Sequence, residues 1–259
     1  MILNASAAGK VALDLLRNHE TFYVHSIFKK GFNILNDNQD LIFIGTDENG
    51  RFPFGLLVDE YTKQIMLSNI KIGQTLFVKH HTLNVNDIKL NFEVNELNIE
   101  NDFEQCNITL LKEQLNKLSF EEYNESDFSL EQVDELLNML ATESSNITKH
   151  LRYFIGRGQG LTPTGDDILT GILYVHNLKN FILDEHLKTI ETLMHQSLTT
   201  VVSEAFLKSA VKGMFSSRIT KLQHDASMKS IEELKSVGSS SGMDTLYGIY
   251  ISLNKEWKK

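Results

Sequence analysis

Hydrophobic positions fall in two textures along the chain. Between residues 21 and 94 they form short runs rich in aromatic and β-branched side chains, at 21–28, 32–35, 41–45, 54–58, 64–67, 74–78 and 88–94. Polar turn clusters separate them, at 36–38, 47–50 and 84–87. Runs of this length and composition, bounded by Asn, Asp and Gly, predict strands. In the last run Ile88, Leu90, Phe92 and Val94 alternate with Lys89, Asn91 and Glu93, the period of a strand with one wet face. The close spacing predicts an antiparallel sheet or small barrel. A short helix over 5–17 precedes it. Residues 96–128 are mixed and polar, read as a connection between halves with one helix at 109–118. From 129 onward the apolar positions recur at helical spacing, predicting helices at 129–141, 145–154, 164–179, 184–200, 201–217, 227–235 and 242–257. The class expected is α+β. A β-rich domain over 1–110 is followed by a mainly α-helical domain over 111–259.

The densest chemistry lies at residues 156–167, Gly-Arg-Gly-Gln-Gly-Leu-Thr-Pro-Thr-Gly-Asp-Asp. Four glycines, one of the chain's two prolines, two hydroxyls and two adjacent carboxylates occupy twelve residues. The apolar run after it predicts a glycine-rich loop feeding a helix N-terminus, where free N–H groups and the helix dipole favour an anion. The segment 239–248, Ser-Ser-Ser-Gly-Met-Asp-Thr-Leu-Tyr-Gly, repeats the pattern hydroxyl-x-hydroxyl-Gly-x-Asp-x-Leu-x-Gly. Thr162, Thr164, Gly165, Asp167, Leu169 and Gly171 fall on Ser239, Ser241, Gly242, Asp244, Leu246 and Gly248.

Two readings explain the carboxylates. Thr164 with Asp167, and Ser241 with Asp244, have the spacing of a capping box, in which the acid reaches back to the N-cap amide. Thr162 as N-cap with Pro163 at the first helical position suits equally. Capping accounts for neither Asp166 nor the glycines. The functional reading places hydroxyl, acid and glycine on one face of each helix. If Gly171 and Gly248 face each other, the two helix starts converge on one pocket. There Asp166, Asp167 and Asp244 are candidate catalytic groups, acting as bases, positioning an amino or carbamoyl nitrogen, or holding Mg²⁺. Arg157, Gly158, Gly160, Thr162, Thr164, Gly165, Ser240, Ser241 and Gly242 are candidates for binding a small anionic substrate. Thr200 and Ser203, at another helix start, are candidates for capping or for lining the site.

Composition narrows the rest. A net charge of −9 argues against non-specific binding to nucleic acid and to anionic membranes. One cysteine, Cys106, permits no internal disulfide and suits a reducing compartment. No secretory signal and no membrane span are expected, and the location expected is cytoplasmic. The nine histidines form no zinc-type pattern. No resident cofactor is expected; Mg²⁺ stays open.

The string Gly158-x-Gly160-Leu-Thr-Pro-Thr-Gly-Asp-Asp167-x-Leu-x-Gly171, with Gly238-x-Ser240-Ser-Gly-x-Asp244-x-Leu-x-Gly248 downstream, resembles a bacterial family long carried as a domain of unknown function. Its members include the AllH-type subunit of oxamate carbamoyltransferase, of allantoin and purine breakdown. Thr200-x-x-Ser203-x-x-Phe-Leu-x-x-Ala210-x-x-Gly213 is similar to the same family, as, more weakly, is 28–33. The resemblance implies a part in reversible carbamoyl transfer between oxamate and carbamoyl phosphate, alongside other subunits. The family's histidine after the glycine of the second motif is Ser239 here, and its usual serine before Gly-Asp-Asp is Thr164.

Overall fold

The computed structural model describes residues 1–97 and 106–257. The expected connection over 96–128 falls partly outside them, at 98–105. The chain divides into two compact units, Met1–Glu100 and Asn101–Lys259.

The first unit is a curled mixed sheet of nine strands with two helices. In chain order these are β1 (Ile2–Asn4), β2 (Ala7–Ala8), α1 (Lys10–Asn18), β3 (Thr21–Phe28), β4 (Gly31–Leu35), β5 (Leu41–Gly45), β6 (Gly55–Leu57), α2 (Glu60–Asn69), β7 (Thr75–Lys79), β8 (Thr82–Val85) and β9 (Ile88–Asn91). The sheet order is β1-β9-β8-β7-β3-β4-β5-β6-β2. Its two edge strands are therefore consecutive in sequence, separated only by Ala5 and Ser6. The Ala5 amide donates to Asn91 O and the Ser6 amide to Leu57 O, each at 2.8 Å. Two residues thus tie both edges together, and the sheet curls. Phe22, Val24, Phe32, Ile34, Ile42, Ile44, Leu76 and Leu90 fill the interior, joined by Leu13 and Leu16 of α1 and Met66 of α2.

Three features differ from the sequence expectation. The sheet is not wholly antiparallel: β1 runs parallel to β9, and β5 parallel to β6. Residues 64–67 belong to α2, not to a strand. Asp59 caps that helix by accepting from the Thr62 amide at 2.7 Å, and a four-residue apolar run does not distinguish helix from strand. The helix expected over 5–17 starts only at Lys10, because Ala7 and Ala8 pair with β6.

The second unit is helical: α3 (Ile108–Leu115), α4 (Leu130–Ala141), α5 (Ile147–Phe154), α6 (Thr164–Lys179), α7 (Asp184–Leu193), α8 (Val201–Val211), α9 (Ser217–His224), α10 (Met228–Lys235) and α11 (Ser241–Asn254). A 3₁₀ turn at Glu121–Tyr123 lies between α3 and α4. α6 is buried continuously from Gly165 to His176, and α11 almost as fully. Helices apolar on all sides belong in a core. These two pack on each other as the centre of the unit, with α3, α4 and α10 against α11 and α8 against α6. The apolar positions expected to form one helix over 201–217 are α8 followed by a turn and the start of α9.

Candidate functional site

The α6–α11 crossing is closest at two glycines. A Cβ built on Gly171 would lie 2.3 Å from Thr245 O and 3.1 Å from Gly248 Cα. A Cβ built on Gly248 would lie 2.3 Å from Ile168 O. Ile168 and Thr245 are equivalent positions of the two motifs, so the contacts are reciprocal, as for two helices related by an approximate two-fold axis. The first-turn glycines obey the same relation. A Cβ on Gly165 would meet Phe154 O at the end of α5, at 2.0 Å, and one on Gly242 would meet Leu234 O near the end of α10, at 1.9 Å. Each motif is thus the second helix of a tight helix-loop-helix unit, and only glycine lets the backbones approach so closely.

This crossing brings the two helix starts together. The Thr162 and Ser241 hydroxyls are 2.6 Å apart and hydrogen-bonded. Both also face the Asp167 carboxylate, while those of Ser240 and Thr164 face Asp244. Each acid therefore meets a hydroxyl of the opposite motif. Capping does not occur: the N-caps are Pro163 and Ser240, neither with a side-chain cap bond. Thr164 and Ser241 are the first helical residues, and Asp167 and Asp244 lie one position beyond the reach of a capping box.

The carboxylates are buried, Asp166 at 1 %, Asp167 at 8 % and Asp244 at 2 % exposure. Asp166 is saturated. Its Oδ1 accepts from the Gly156 amide at 2.9 Å, and its Oδ2 from Ser203 Oγ at 2.7 Å and from Thr199 Oγ1. It ties the glycine-rich loop to the start of α8. Thr200 caps α8 by accepting from the Ser203 amide at 3.1 Å, and its hydroxyl also donates to Leu161 O. Thr200 and Ser203 therefore hold the loop in place.

Asp167 and Asp244 are different. Oδ2 of each is buried with no hydrogen-bond partner. Oδ1 of Asp244 accepts from Tyr123 Oη at 2.6 Å. Burial pushes the Asp167 carboxyl well above the usual carboxylate range; the charges of Asp244 and Asp166 push the same way, and the Thr162 and Ser241 hydroxyls oppose them. Burial also raises Asp244, against hydrogen bonds from Tyr123, Ser240 and Thr164. Burial and the bond to Asp244 raise the Tyr123 phenol, so it stays a neutral donor. Tyr123 stacks on Tyr247 with centroids 3.8 Å apart, which fixes its ring. Sequence reasoning missed Tyr123. It lies in the stretch read as a connection, 121 residues from its partner, and no local pattern marks it.

The other candidates are placed as follows. The Gly165, Asp166, Asp167, Gly242 and Asp244 amides all donate to backbone carbonyls. Gly158 lies over the Thr164 amide, where a Cβ would come within 2.4 Å, and Gly160 is exposed. Arg157 binds Asp127 at 2.9 Å and the Tyr153 carbonyl at 2.8 Å, with its guanidinium 3.9 Å from the Tyr153 ring centroid. Among the described residues no group of three or more His, Cys, Asp and Glu side chains is placed to hold a metal ion, and Asp166 already spends both oxygens on protein donors. A cleft of about 480 Å³ in the first unit, lined by residues including Arg17, His81 and Glu93, contains none of the motif residues. No helix among the described residues is long and apolar enough to cross a membrane.

A curled sheet unit, with a helical unit built on two reciprocal Gly-Asp helix starts, defines a two-unit α+β protein with a paired buried-carboxylate site. No solved structure matches the chain. The AllH family N-terminal domain matches residues 4–102, and the family described as oxamate carbamoyltransferase subunit AllH matches residues 154–253. Together they span most of the sequence, and the chain belongs to the AllH family.

Proposed function

We propose that the chain is a subunit of an oxamate-type carbamoyltransferase. Asp167 and Asp244 would orient or deprotonate the nitrogen at which the carbamoyl group is gained or lost. The observation that carries this reading is the pair of buried carboxylates, drawn from two helix starts, each with an unpartnered oxygen. An unsatisfied buried acceptor costs the fold about 1–3 kcal/mol, more when charged. Such perturbed acids gather where chemistry needs them. The family supplies the reaction class.

The anionic co-substrate, carbamoyl phosphate or a similar anion, would lie on the outer side of the carboxylates. The Gly158–Gly160 loop and the Thr162, Thr164, Ser240 and Ser241 hydroxyls would receive it. Arg157 is held by Asp127 in a half-exposed ion pair. Pairs of that kind are worth about 0–1 kcal/mol, so a phosphate can take Asp127's place.

The test is reconstitution with the other subunits of the transferase. Carbamoyl transfer should require this chain and should survive EDTA. EDTA-sensitive turnover would favour a Mg²⁺-dependent hydrolase using Asp166, Asp167 and Asp244. A second reading, a non-catalytic binding or assembly subunit, draws support from the internally paired helix amides. It predicts that partner subunits alone retain the chemical step and lose only assembly or affinity.

A further inference from the structure

The two unpartnered oxygens restrict the ligand groups that could satisfy them. They come from equivalent positions of two reciprocally packed helices. Both are acceptors when ionised, and the polar atoms around them are hydroxyls: Thr162 and Ser241 facing Asp167, Ser240 and Thr164 facing Asp244. Against the ionised pair a carboxylate or phosphate would add a third charge. A ligand hydroxyl offers one donor for two acceptors. A primary –NH₂ group offers two N–H donors from one atom, matching the two equivalent oxygens.

We propose that the Asp167–Asp244 pair receives an unsubstituted –NH₂ group, one N–H on Oδ2 of each residue. The site thereby selects the amide or carbamoyl end of its substrate over a carboxylate and over an N-alkylated amide. This rests on the reading that the pair serves carbamoyl transfer, and it adds which end of the substrate the pair takes. The selectivity follows from the cost of mismatch. Replacing –NH₂ by a carboxylate oxygen leaves both acceptors unpaired, and one N-methyl group removes one of the two donors. Sites built to hydrogen-bond a group reject analogues lacking it far more strongly than apolar pockets reject a change of size.

The experiment is calorimetric titration of the full-length wild-type chain with oxamate, N-methyloxamate and oxalate, repeated on Asp167→Asn and Asp244→Asn. Oxamate should bind about tenfold or more tighter than either analogue, and each substitution should weaken oxamate by a similar factor. The comparison among ligands uses only the wild-type protein, so it stands even if a variant folds poorly. Equal binding of all three, binding of none, or binding of Mg²⁺ in place of oxamate overturns the proposal. If reconstituted transfer needs both carboxylates while oxalate binds as tightly as oxamate, this inference fails and the proposed function stands. If both variants transfer carbamoyl groups normally while the –NH₂ preference holds, the function fails and the inference stands.

Discussion

Burial disfavours a charge on Asp167, and the Thr162 and Ser241 hydroxyls offset this only in part. Its Oδ2 has no donor, and Asp244 and Asp166 repel it. A carboxyl raised above its ordinary value binds its proton more firmly in the folded protein than in the unfolded chain. Its stabilising contribution is complete below the ordinary carboxylate value and is lost as pH rises toward the folded value. Asparagine keeps the shape and removes the titration. Between about pH 5 and about pH 8, the melting temperature of Asp167→Asn should therefore rise relative to wild type, as differential scanning calorimetry would show. A variant that loses ground as pH rises would mean the carboxylate is stabilised by donors, as in a cap. At this scale the sequence was informative about residue types and less so about duties. The string at 162–167 pointed to two carboxylates that the fold buries. Asp166 could not be separated from Asp167, because Thr199 and Ser203 reach it from 33 and 37 residues away.

Among the elements, the α6–α11 crossing depends on Gly171 and Gly248. Gly171→Ala would drive a methyl group into the Thr245 carbonyl, 2.3 Å away, and a backbone atom cannot step aside as a side chain can. Overpacking of that kind costs about 1–3 kcal/mol, visible as a lower midpoint in urea unfolding. An unchanged midpoint would mean that the helices do not approach this closely. The tether from α8 to the loop makes a separate prediction. Asp166→Ala removes the acceptor for Gly156, Thr199 and Ser203, so backbone amides at 156–161 should exchange hydrogen faster while those in the middle of α6 stay protected. Uniform acceleration across α6 would show that Asp166 supports the whole helix. The long helices were legible because their apolar period is sustained, and α6 matches the expected 164–179. The hairpin of β7 and β8 was not. Its two-residue turn is His80-His81, both with positive φ, where Asn-Gly would have announced it. β1 and β2 were hidden for another reason: three- and two-residue strands carry too little pattern, and they exist because they close the curled sheet.

For the whole molecule, the division into a β-rich and a helical part follows from the change in hydrophobic period near the middle of the chain. The parallel pairings do not, since they depend on how the sheet curls. The repeated Gly-Asp motif was the one long-range relation readable in advance, because the same residues recur at both ends of the contact. Tyr123 and the α8 tether were unreadable because their partners share no pattern with them. We propose that the paired carboxylates of the helical unit serve carbamoyl transfer. The most direct test of this is the rate of carbamoyl transfer by the reconstituted enzyme carrying Asp167→Asn or Asp244→Asn, with assembly and melting temperature checked alongside. Each variant should assemble and fold yet lose about 10²–10⁴-fold in rate, the usual contribution of a positioned acid or base. Wild-type rates in both variants would exclude that role for Asp167 and Asp244.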